Sequence, residues 1–297
     1  TFTLSLWIKR TAFESDQAIF DAQVSSGNQA TIRFSDEGSS DDEFNIFYYD
    51  GSSFVFQVVA IDEFRDPTAW YHFVIAFDTT QSTDSDRVKI YKNGTQITRI
   101  AGNATYPSQN YQTPFNNTNL HTIGRNGTAS NFLDGYMAEM NFIDGQQLTP
   151  SSFAETDPVT GQYNPIKYTG SYGTNGFRLN FEDNSGTTAT TLGKDSSGNG
   201  NNYTPSGFSV SAGQGNDSLE DTPLLNYPVL NPHQTRDPDR LSNGNLDVDF
   251  ASTDDNASSV ATFPMISGKY YFEVLIRSSS SSAGNSIIGV APVSYME

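Results

Sequence analysis

The segment from residue 70 to residue 97 constrains the fold of this chain more than any other part of the sequence. It reads Trp-Tyr-His-Phe-Val-Ile-Ala-Phe-Asp, then a polar loop, then Arg-Val-Lys-Ile-Tyr-Lys-Asn-Gly-Thr-Gln-Ile. Phe73, Ile75 and Phe77 alternate with residues that point the other way, which is the pattern of a strand with a buried face. Asn93-Gly94 supplies the two positive-φ positions of a hairpin turn. We therefore predict an aromatic core strand followed by a hairpin.

The same alternation, interrupted by clusters of Gly, Asn, Asp and Ser that mark turns, predicts ten strands in the first half of the chain. They are expected at residues 2–9, 17–23, 30–34, 43–49, 53–61, 70–77, 87–92, 95–100, 119–124 and 135–143. A strand about every ten residues is typical of two antiparallel sheets packed face to face. The chain contains 21 Phe and 15 Tyr, which favours a core filled by large rings. We predict an all-β fold, an antiparallel β-sandwich.

Three segments resemble the laminin G-like members of the concanavalin A-like lectin/glucanase sandwiches. They are Thr-Phe-Thr-Leu-Ser-Leu-Trp-Ile-Lys-Arg at 1–10, the strand and hairpin of 70–97, and Phe-Leu-Asp-Gly-Tyr-Met-Ala-Glu-Met-Asn-Phe-Ile-Asp-Gly-Gln-Gln-Leu-Thr at 132–149. They follow the order of that family and cover roughly the first half of the chain. The resemblance implies a concanavalin A-like jelly roll. It leaves the function open, because this fold carries lectins, adhesins, hydrolases and structural modules.

The chain divides into three regions. Residues 1–149 are expected to form the laminin G-like sandwich, and residues 150–235, rich in Gly, Asn, Ser, Thr and Pro, an extension that packs on it. Residues 236–297 contain Gly-Lys-Tyr-Tyr-Phe-Glu-Val and Ile-Gly-Val-Ala, which resemble the opening strands of a SPRY domain. This second resemblance implies a partial second β-sandwich, the rest of which we expect beyond residue 297.

Charge and composition exclude several classes of partner. The chain has 34 acidic and 16 basic residues and a formal net charge of −18, so its surface repels phosphate and we expect no nucleic acid partner. No apolar run reaches about 18 residues, so we expect no membrane partner. The absence of cysteine excludes disulfides, thiolate metal sites and cysteine nucleophiles.

Catalytic motifs are weak, and we expect a protein that is not an enzyme. Glucanases of the concanavalin-like fold carry Glu-x-Asp-x-x-Glu on one strand, and the nearest match here is Glu139-Met-Asn-Phe-Ile-Asp144. Asn141 replaces the middle Asp, and positions 139 and 144 point to opposite faces of a regular strand. The three histidines are scattered, and no nucleophile signature accompanies His72.

Two candidate binding sites remain. For a glycan, the Asn-rich loop 102–118 carries three rings, Tyr106, Tyr111 and Phe115, beside amide groups; alternatively, these rings fold back onto their own sheet. For calcium as a cofactor, carboxylate and amide oxygens are crowded in turns at Asp183, Asp195, Asn199 and Asn201. Asp and Asn are also standard turn formers, so this second pattern has a structural explanation too.

The sequences of several segments resemble those of large structural proteins of marine tailed bacteriophages. These segments are the opening ten residues, Asn-Phe-Ile-Asp-Gly-Gln-Gln-Leu-Thr-Pro, Asp-Ser-Ser-Gly-Asn-Gly-Asn-Asn and Asn-Asp-Ser-Leu-Glu-Asp-Thr-Pro. The resemblance implies a virion structural protein on the virion surface, in a tail fibre, spike or capsid appendage, with other subunits or identical copies as partners and a cell-surface glycan as a ligand. The alternatives are a bacterial extracellular adhesin or filament subunit and a polysaccharide hydrolase.

Overall fold

The structure is a computed structural model that describes residues 1–37, 40–213, 215–249, 258–277 and 288–292. All ten strands predicted in the first half of the chain are confirmed. They are β1 Phe2–Arg10, β2 Gln17–Ser25, β3 Asn28–Glu37, β4 Ser40–Tyr49, β5 Phe54–Ala60, β6 Tyr71–Phe77, β7 Val88–Lys92, β8 Thr95–Gln96, β9 Leu120–Ile123 and β10 Gly135–Asp144. Strand β8 ends four residues earlier than predicted because the chain crosses to the other sheet, where Ile100 bridges Ala60.

Three further strands, β11 Ala154–Thr156, β12 Tyr163–Pro165 and β13 Phe177–Leu179, come after the sandwich strands in the chain. A six-stranded sheet has the order β13-β10-β1-β6-β7-β8, and a five-stranded sheet the order β5-β4-β3-β2-β9. The pairings within both sheets are antiparallel. The all-β fold with antiparallel sheets predicted from the sequence is therefore confirmed.

Phenylalanine rings fill the core between the two sheets. On β6, Phe73 stacks at 4.4 Å on Phe44 of β4, so the two sheets are in direct ring contact. Phe2 of β1 stacks on Phe77 of β6 at 4.6 Å within the six-stranded sheet. These rings are at most 1% exposed. Burial of this much apolar surface is the main stabilising term of the sandwich.

The residues that follow the sandwich strands pack on it. On the outer face of the six-stranded sheet, Phe153, Tyr168 and Tyr172 form a cluster with Val74 and Ile143. Residues Thr1–Tyr227 form one compact unit. The predicted extension, 150–235, thus spans the end of this unit and the start of the next.

A second unit comprises Pro228–Glu297. Its described residues contain a two-strand hairpin, β14 Leu241–Ser242 and β15 Asp247–Val248, and an isolated bridge between Leu230 and Ala261. Residues 267–277 hold no strand, and part of the SPRY-like sequence, 250–257 and 278–287, lies outside the described residues. The SPRY-like sandwich stays a prediction.

A charged cluster is buried at one rim of the sandwich. Arg10 on β1 donates to Asp42 of β4 at 2.7 Å, and both side chains are fully buried. The Arg10 guanidinium also donates to the carbonyl of Phe64, and Arg65 donates to the second carboxylate oxygen of Asp42 at 2.8 Å.

Among the described residues no helix is long and apolar enough to cross a membrane.

Candidate functional site

The outer face of the five-stranded sheet carries an aromatic ridge. On β4, Phe44, Ile46 and Tyr48 face the core, so Phe47 and Tyr49 face outward. Phe54, at the start of β5, pairs with Tyr49 across the hairpin. Its ring meets the Phe47 ring edge-on at 5.5 Å and the Tyr49 ring at 5.4 Å. Phe54 keeps 46% of its surface exposed, so the ridge presents a large ring to solvent.

An arginine and its carboxylate partner border the ridge. Arg33 projects from β3 on the same outer face, and its guanidinium carbon lies 4.9 Å from the centre of the Phe47 ring. Arg33 Nη1 donates to Asp16 Oδ2 at 2.5 Å, which fixes the guanidinium over the ring. The positive charge beside the ridge is therefore paired with a negative one.

A loop of polar residues closes the other side of the ridge. Asn126 Oδ1 accepts hydrogen bonds from the Thr128 hydroxyl and the Ser130 amide, both at 2.9 Å. The amide of Gly127 donates to Asp21 Oδ2 at 3.0 Å, which ties this loop to β2. A side chain at Gly127 would collide with Gln23, whose atoms lie as close as 2.5 Å to an added Cβ. The loop is thus held close to the sheet.

Ridge, arginine and loop together enclose an open groove of about 400 Å³. The groove is lined by Gly27, Gln29, Arg33, Phe47, Tyr49, Phe54, Asn126 and Thr128. Its size falls within the range of small-molecule sites, about 300–1,000 Å³. Rings, amides and hydroxyls are the groups that contact the apolar faces and hydroxyls of a sugar.

The rings that we predicted for glycan binding lie elsewhere, in and against the core. Phe115 is 1% exposed and contacts Phe2 and Phe77, so the prediction of a sugar contact for Phe115 is wrong. A ring buried between two sheets has no face free for a ligand. Tyr106 and Tyr111 are half-buried and pack against the same core. The alternative in which these rings fold back onto their own sheet describes Phe115 fully and the two tyrosines in part.

Beside Tyr111 the structure has a small pocket of about 50 Å³, which also touches Thr79 and Asn116. This volume is well below the roughly 300 Å³ at which ligand sites begin. The pocket holds a few waters at most, and it adds nothing to the case for a sugar at loop 102–118.

The residues predicted for calcium form hydrogen-bonded turns. Asp195 Oδ1 accepts from the amides of Arg178 and Ser197, and Asp195 Oδ2 accepts from the amide of Asn201 and the hydroxyl of Ser197. The side-chain amides of Asn199 and Asn201 both donate to the carbonyl of Gly176. Within this loop the carboxylate is therefore surrounded by donors.

Asp183 belongs to a different turn, where its carboxylate accepts from the amide and hydroxyl of Ser185. Across the described ranges no group of three or more His, Asp or Glu side chains is placed to hold a metal ion. Asp183 is thus separate from the other three predicted ligands, and Asn199 and Asn201 direct their side-chain amides to the carbonyl of Gly176.

Glu139 and Asp144 of the glucanase-like motif also have structural partners. Glu139 is the extra residue of a β-bulge in β10, with φ 48°, and it forms two hydrogen bonds with Arg178, at 2.8 and 3.0 Å. Asp144 accepts from the side chain of Asn116 and from the amide of Asn175. Burial raises the pKa of Glu139, while Arg178 opposes that rise.

A serine and a histidine meet on the outer face of the six-stranded sheet. Ser5 Oγ and His72 Nε2 are 2.9 Å apart, and His72 Nδ1 is 3.2 Å from the Tyr163 hydroxyl. Trp7 stacks on the imidazole at 4.7 Å, and both Ser5 and His72 are at most 1% exposed. Burial lowers the pKa of His72 to about 3. Covered by rings, this pair has no room for a substrate.

Sequence reasoning missed the groove, although the signal was present. Residues 44–49 and 54 lie in two predicted strands. The alternation of these strands puts several rings on the face opposite the core. Outward rings at Phe47, Tyr49 and Phe54 in a strand pair are the feature that points to the ridge. Asn126 reaches the groove only through the tertiary structure, so no pattern in the neighbouring sequence predicts that it lines the groove.

Fold and site define a β-sandwich module with an aromatic groove on one sheet. The family model described as the Concanavalin A-like lectin/glucanases superfamily matches residues 1–154, more than half of the chain. The chain belongs to this superfamily. No curated protein matches the chain.

Two solved structures are similar to parts of the chain. Domain 4 of AbnA, a GH43 extracellular arabinanase from Geobacillus stearothermophilus in complex with arabinotriose, is 18% identical, with a TM-score of 0.35, covering 50% of this chain and 63% of that one. A putative carbohydrate binding protein from Bacteroides ovatus ATCC 8483 is 15% identical, with a TM-score of 0.38, covering 60% and 48%. Each match spans less than two thirds of the other chain. At these TM-scores neither structure bears on the function of this chain.

Proposed function

We propose that the sandwich is a carbohydrate-binding module whose site is the groove around Phe54. The exposed Phe54 ring, held edge-on by Phe47 and Tyr49, carries this proposal. Rings that cluster on one open face form an apolar patch of the kind that marks ligand-binding grooves, and the C–H face of a pyranose is a partner of matching shape. The Gln29 amide and the Thr128 hydroxyl supply hydrogen bonds for sugar hydroxyls at the edges of the ring.

The open form of the groove favours an internal stretch of an oligosaccharide over an enclosed single sugar. The ridge and the loop at Asn126 leave the groove open to solvent along the sheet, and its strands form a rigid floor. A preformed site of this kind costs little ordering of the protein on binding.

We also propose that the chain binds without hydrolysing its ligand. The carboxylates of the glucanase-like motif support this proposal, because Glu139 is paired with Arg178 and Asp144 with Asn116. A hydrolytic site needs two carboxyl groups that converge on one bond, with one of them free to donate a proton. None of the described residues that line the groove carries a carboxylate.

As the biological setting we propose a virion structural protein, in a tail fibre, spike or capsid appendage, that presents the groove at the virion surface. The resemblance of several segments to structural proteins of marine tailed bacteriophages supports this setting. Exposed apolar side chains near the end of the first unit, Leu224, Leu225 and Tyr227, support contacts with other subunits. A bacterial adhesin or filament subunit is the alternative setting for the same groove.

The test is a glycan array probed with the full 297-residue chain, followed by calorimetric titration of the best ligand. Stacking on Phe54 covers roughly 90 Å² of ring, since about half of a side chain of about 200 Å² is exposed, and is worth about 2 kcal/mol. We therefore expect Phe54→Ala to raise Kd by at least about tenfold. The matched control is Phe208→Ala, a ring of similar exposure, 55%, that does not line the groove.

An unchanged Kd in Phe54→Ala would refute the assignment of the groove. The absence of any ligand on an array that includes bacterial surface polysaccharides would refute carbohydrate binding itself. Equal losses in Phe54→Ala and in Phe208→Ala would indicate a general effect on the fold and count against the groove as well.

A further inference from the structure

A buried lysine connects the first strand to the last residues of the first unit. Lys9 on β1 has a fully buried side chain. Its Nζ donates to three acceptors, Asp221 Oδ2 at 2.8 Å, Asn226 Oδ1 at 2.8 Å and the carbonyl oxygen of Tyr227 at 2.6 Å. An amine, a side-chain amide and a carboxylate therefore meet at one buried point, from positions more than 200 residues apart in the chain.

The two acceptor side chains are held in fixed orientations. Asp221 Oδ1 accepts from the indole N–H of Trp70 at 3.0 Å, which leaves Oδ2 facing the lysine. Asn226 Nδ2 donates to the carbonyl of Thr68 at 2.7 Å, which turns its Oδ1 toward the lysine. The amide of Asn226 is thus presented to Nζ through its carbonyl group.

Two aromatic rings lie beside the buried lysine. Lys9 Nζ lies 5.6 Å from the centre of the Tyr136 ring, and the Tyr136 and Trp70 rings meet edge-on at 6.4 Å. The side chain of Asp221 is only 6% exposed. Burial lowers the pKa of Lys9, against the opposing effect of Asp221. Desolvation of this kind is a recognised means of making a lysine amine nucleophilic.

We propose that Lys9 and Asn226 join in an intramolecular isopeptide bond, with Asp221 as the proton carrier. Asp221 takes a proton from the Lys9 ammonium, and the freed Nζ lone pair attacks Cγ of Asn226. The tetrahedral intermediate passes a second proton from Nζ, through Asp221, to the departing Nδ2. The Nζ–Cγ bond forms, the Cγ–Nδ2 bond breaks, one ammonium ion leaves, and Asp221 returns to its carboxylate form. No oxidant or other reactant is needed.

Asn226 is the electrophile in this reaction, and Asp221 is not. A carboxylate resists attack by an amine, whereas a side-chain amide that accepts a hydrogen bond on its oxygen is polarised toward attack. Asp221 can carry the protons because it is the acceptor that touches Lys9 with a charged oxygen. Fixing the three groups at contact distance supplies the orientation that this slow reaction lacks in solution.

The bond would close a loop from residue 9 to residue 226, almost the whole of the first unit. A cross-link of this span reduces the freedom of the unfolded chain in the same way as a long-loop disulfide. The chain contains no cysteine, so an isopeptide bond supplies a covalent link that disulfides cannot provide. It also joins both ends of the unit, where a pulling force would act on a fibre or filament.

The test is the intact mass of the denatured full chain, followed by a tryptic map. We expect a mass lower than that of the sequence by one ammonia, and a branched peptide that joins residues 1–10 to residues 195–236, uncut at Lys9. A mass equal to that of the sequence would overturn the proposal. Loss of one water with a link to Asp221 would overturn the assignment of Asn226.

An Asn-Gly sequence can also lose one ammonia, by closing to a succinimide. Variants of the three residues distinguish this loss from the cross-link. We expect Lys9→Arg, Asn226→Ala and Asp221→Asn each to restore the full mass, while the control Lys89→Arg, at a surface lysine paired with Asp86, keeps the loss. If Lys9→Arg still loses ammonia, the proposal is wrong. If a variant fails to fold, the tryptic map of the wild type still shows whether the branched peptide is present.

Discussion

Replacing Asp42 by asparagine tests how the buried charges at the rim hold the sandwich together. Asp42 is the carboxylate partner of Arg10, with both side chains fully buried, and also accepts from Arg65. Asparagine keeps the shape but removes the charge, so the Arg10 guanidinium stays buried without its counter-ion. Breaking a buried pair in this way costs about 3–5 kcal/mol. For a unit of this size that lowers Tm by roughly 10 °C.

Urea unfolding followed by tryptophan fluorescence measures this effect. The chain has two tryptophans, Trp7 and Trp70, and both are buried in the first unit, so the signal reports that unit. The control is Asp62→Asn, which removes the partner of Arg99, a side chain that is 67% exposed. We expect a loss below about 1 kcal/mol there, because exposed pairs contribute little. Equal losses in the two variants would refute the reasoning.

Three further outcomes follow from the packing. Phe115→Ala should lower the free energy of unfolding by about 3–5 kcal/mol in urea titrations, with an unchanged Kd for glycan measured below the unfolding transition; a weaker Kd would return Phe115 to the binding surface. His72 contributes stability that is fully present above pH about 6.5 and is lost as the pH falls toward 3, because its pKa is about 3 in the folded protein, so only the unfolded chain takes up the proton. Below pH 6.5 the wild type should therefore lose about 1.4 kcal/mol per pH unit more than His72→Gln, and parallel stability curves would contradict this. Incubation with the glycan ligand should release no reducing ends from either wild type or Glu139→Gln; release that only the wild type shows would make the chain a hydrolase.

The sandwich strands could be predicted from the sequence because their signal is local. Alternating residues such as Phe73, Ile75 and Phe77 define a buried face within a few positions, and turn residues mark where each strand ends. The resemblance of residues 1–149 to the laminin G-like family points to the same fold. The short extent of β8 was not predictable, because it depends on where the chain crosses to the other sheet.

The site could not be predicted in the same way, because it depends on the register between strands and on distant loops. Whether a ring is core or surface is decided by the sheet that covers it, which is why Phe115 and Phe54 look alike in the sequence and differ in exposure. Asp195 has the composition of a cation ligand, yet the backbone amides of its own loop occupy it. The meeting of Lys9 with Asn226 across 217 positions leaves no local trace at all.

The central claim, that the groove on the five-stranded sheet binds carbohydrate, is tested most directly by a crystal structure of the chain with its best oligosaccharide from the array. We predict electron density for a pyranose ring stacked on Phe54, next to Tyr49 and within hydrogen-bond reach of Gln29. Sugar density at loop 102–118 or beside Glu139, with the groove empty, would contradict the account.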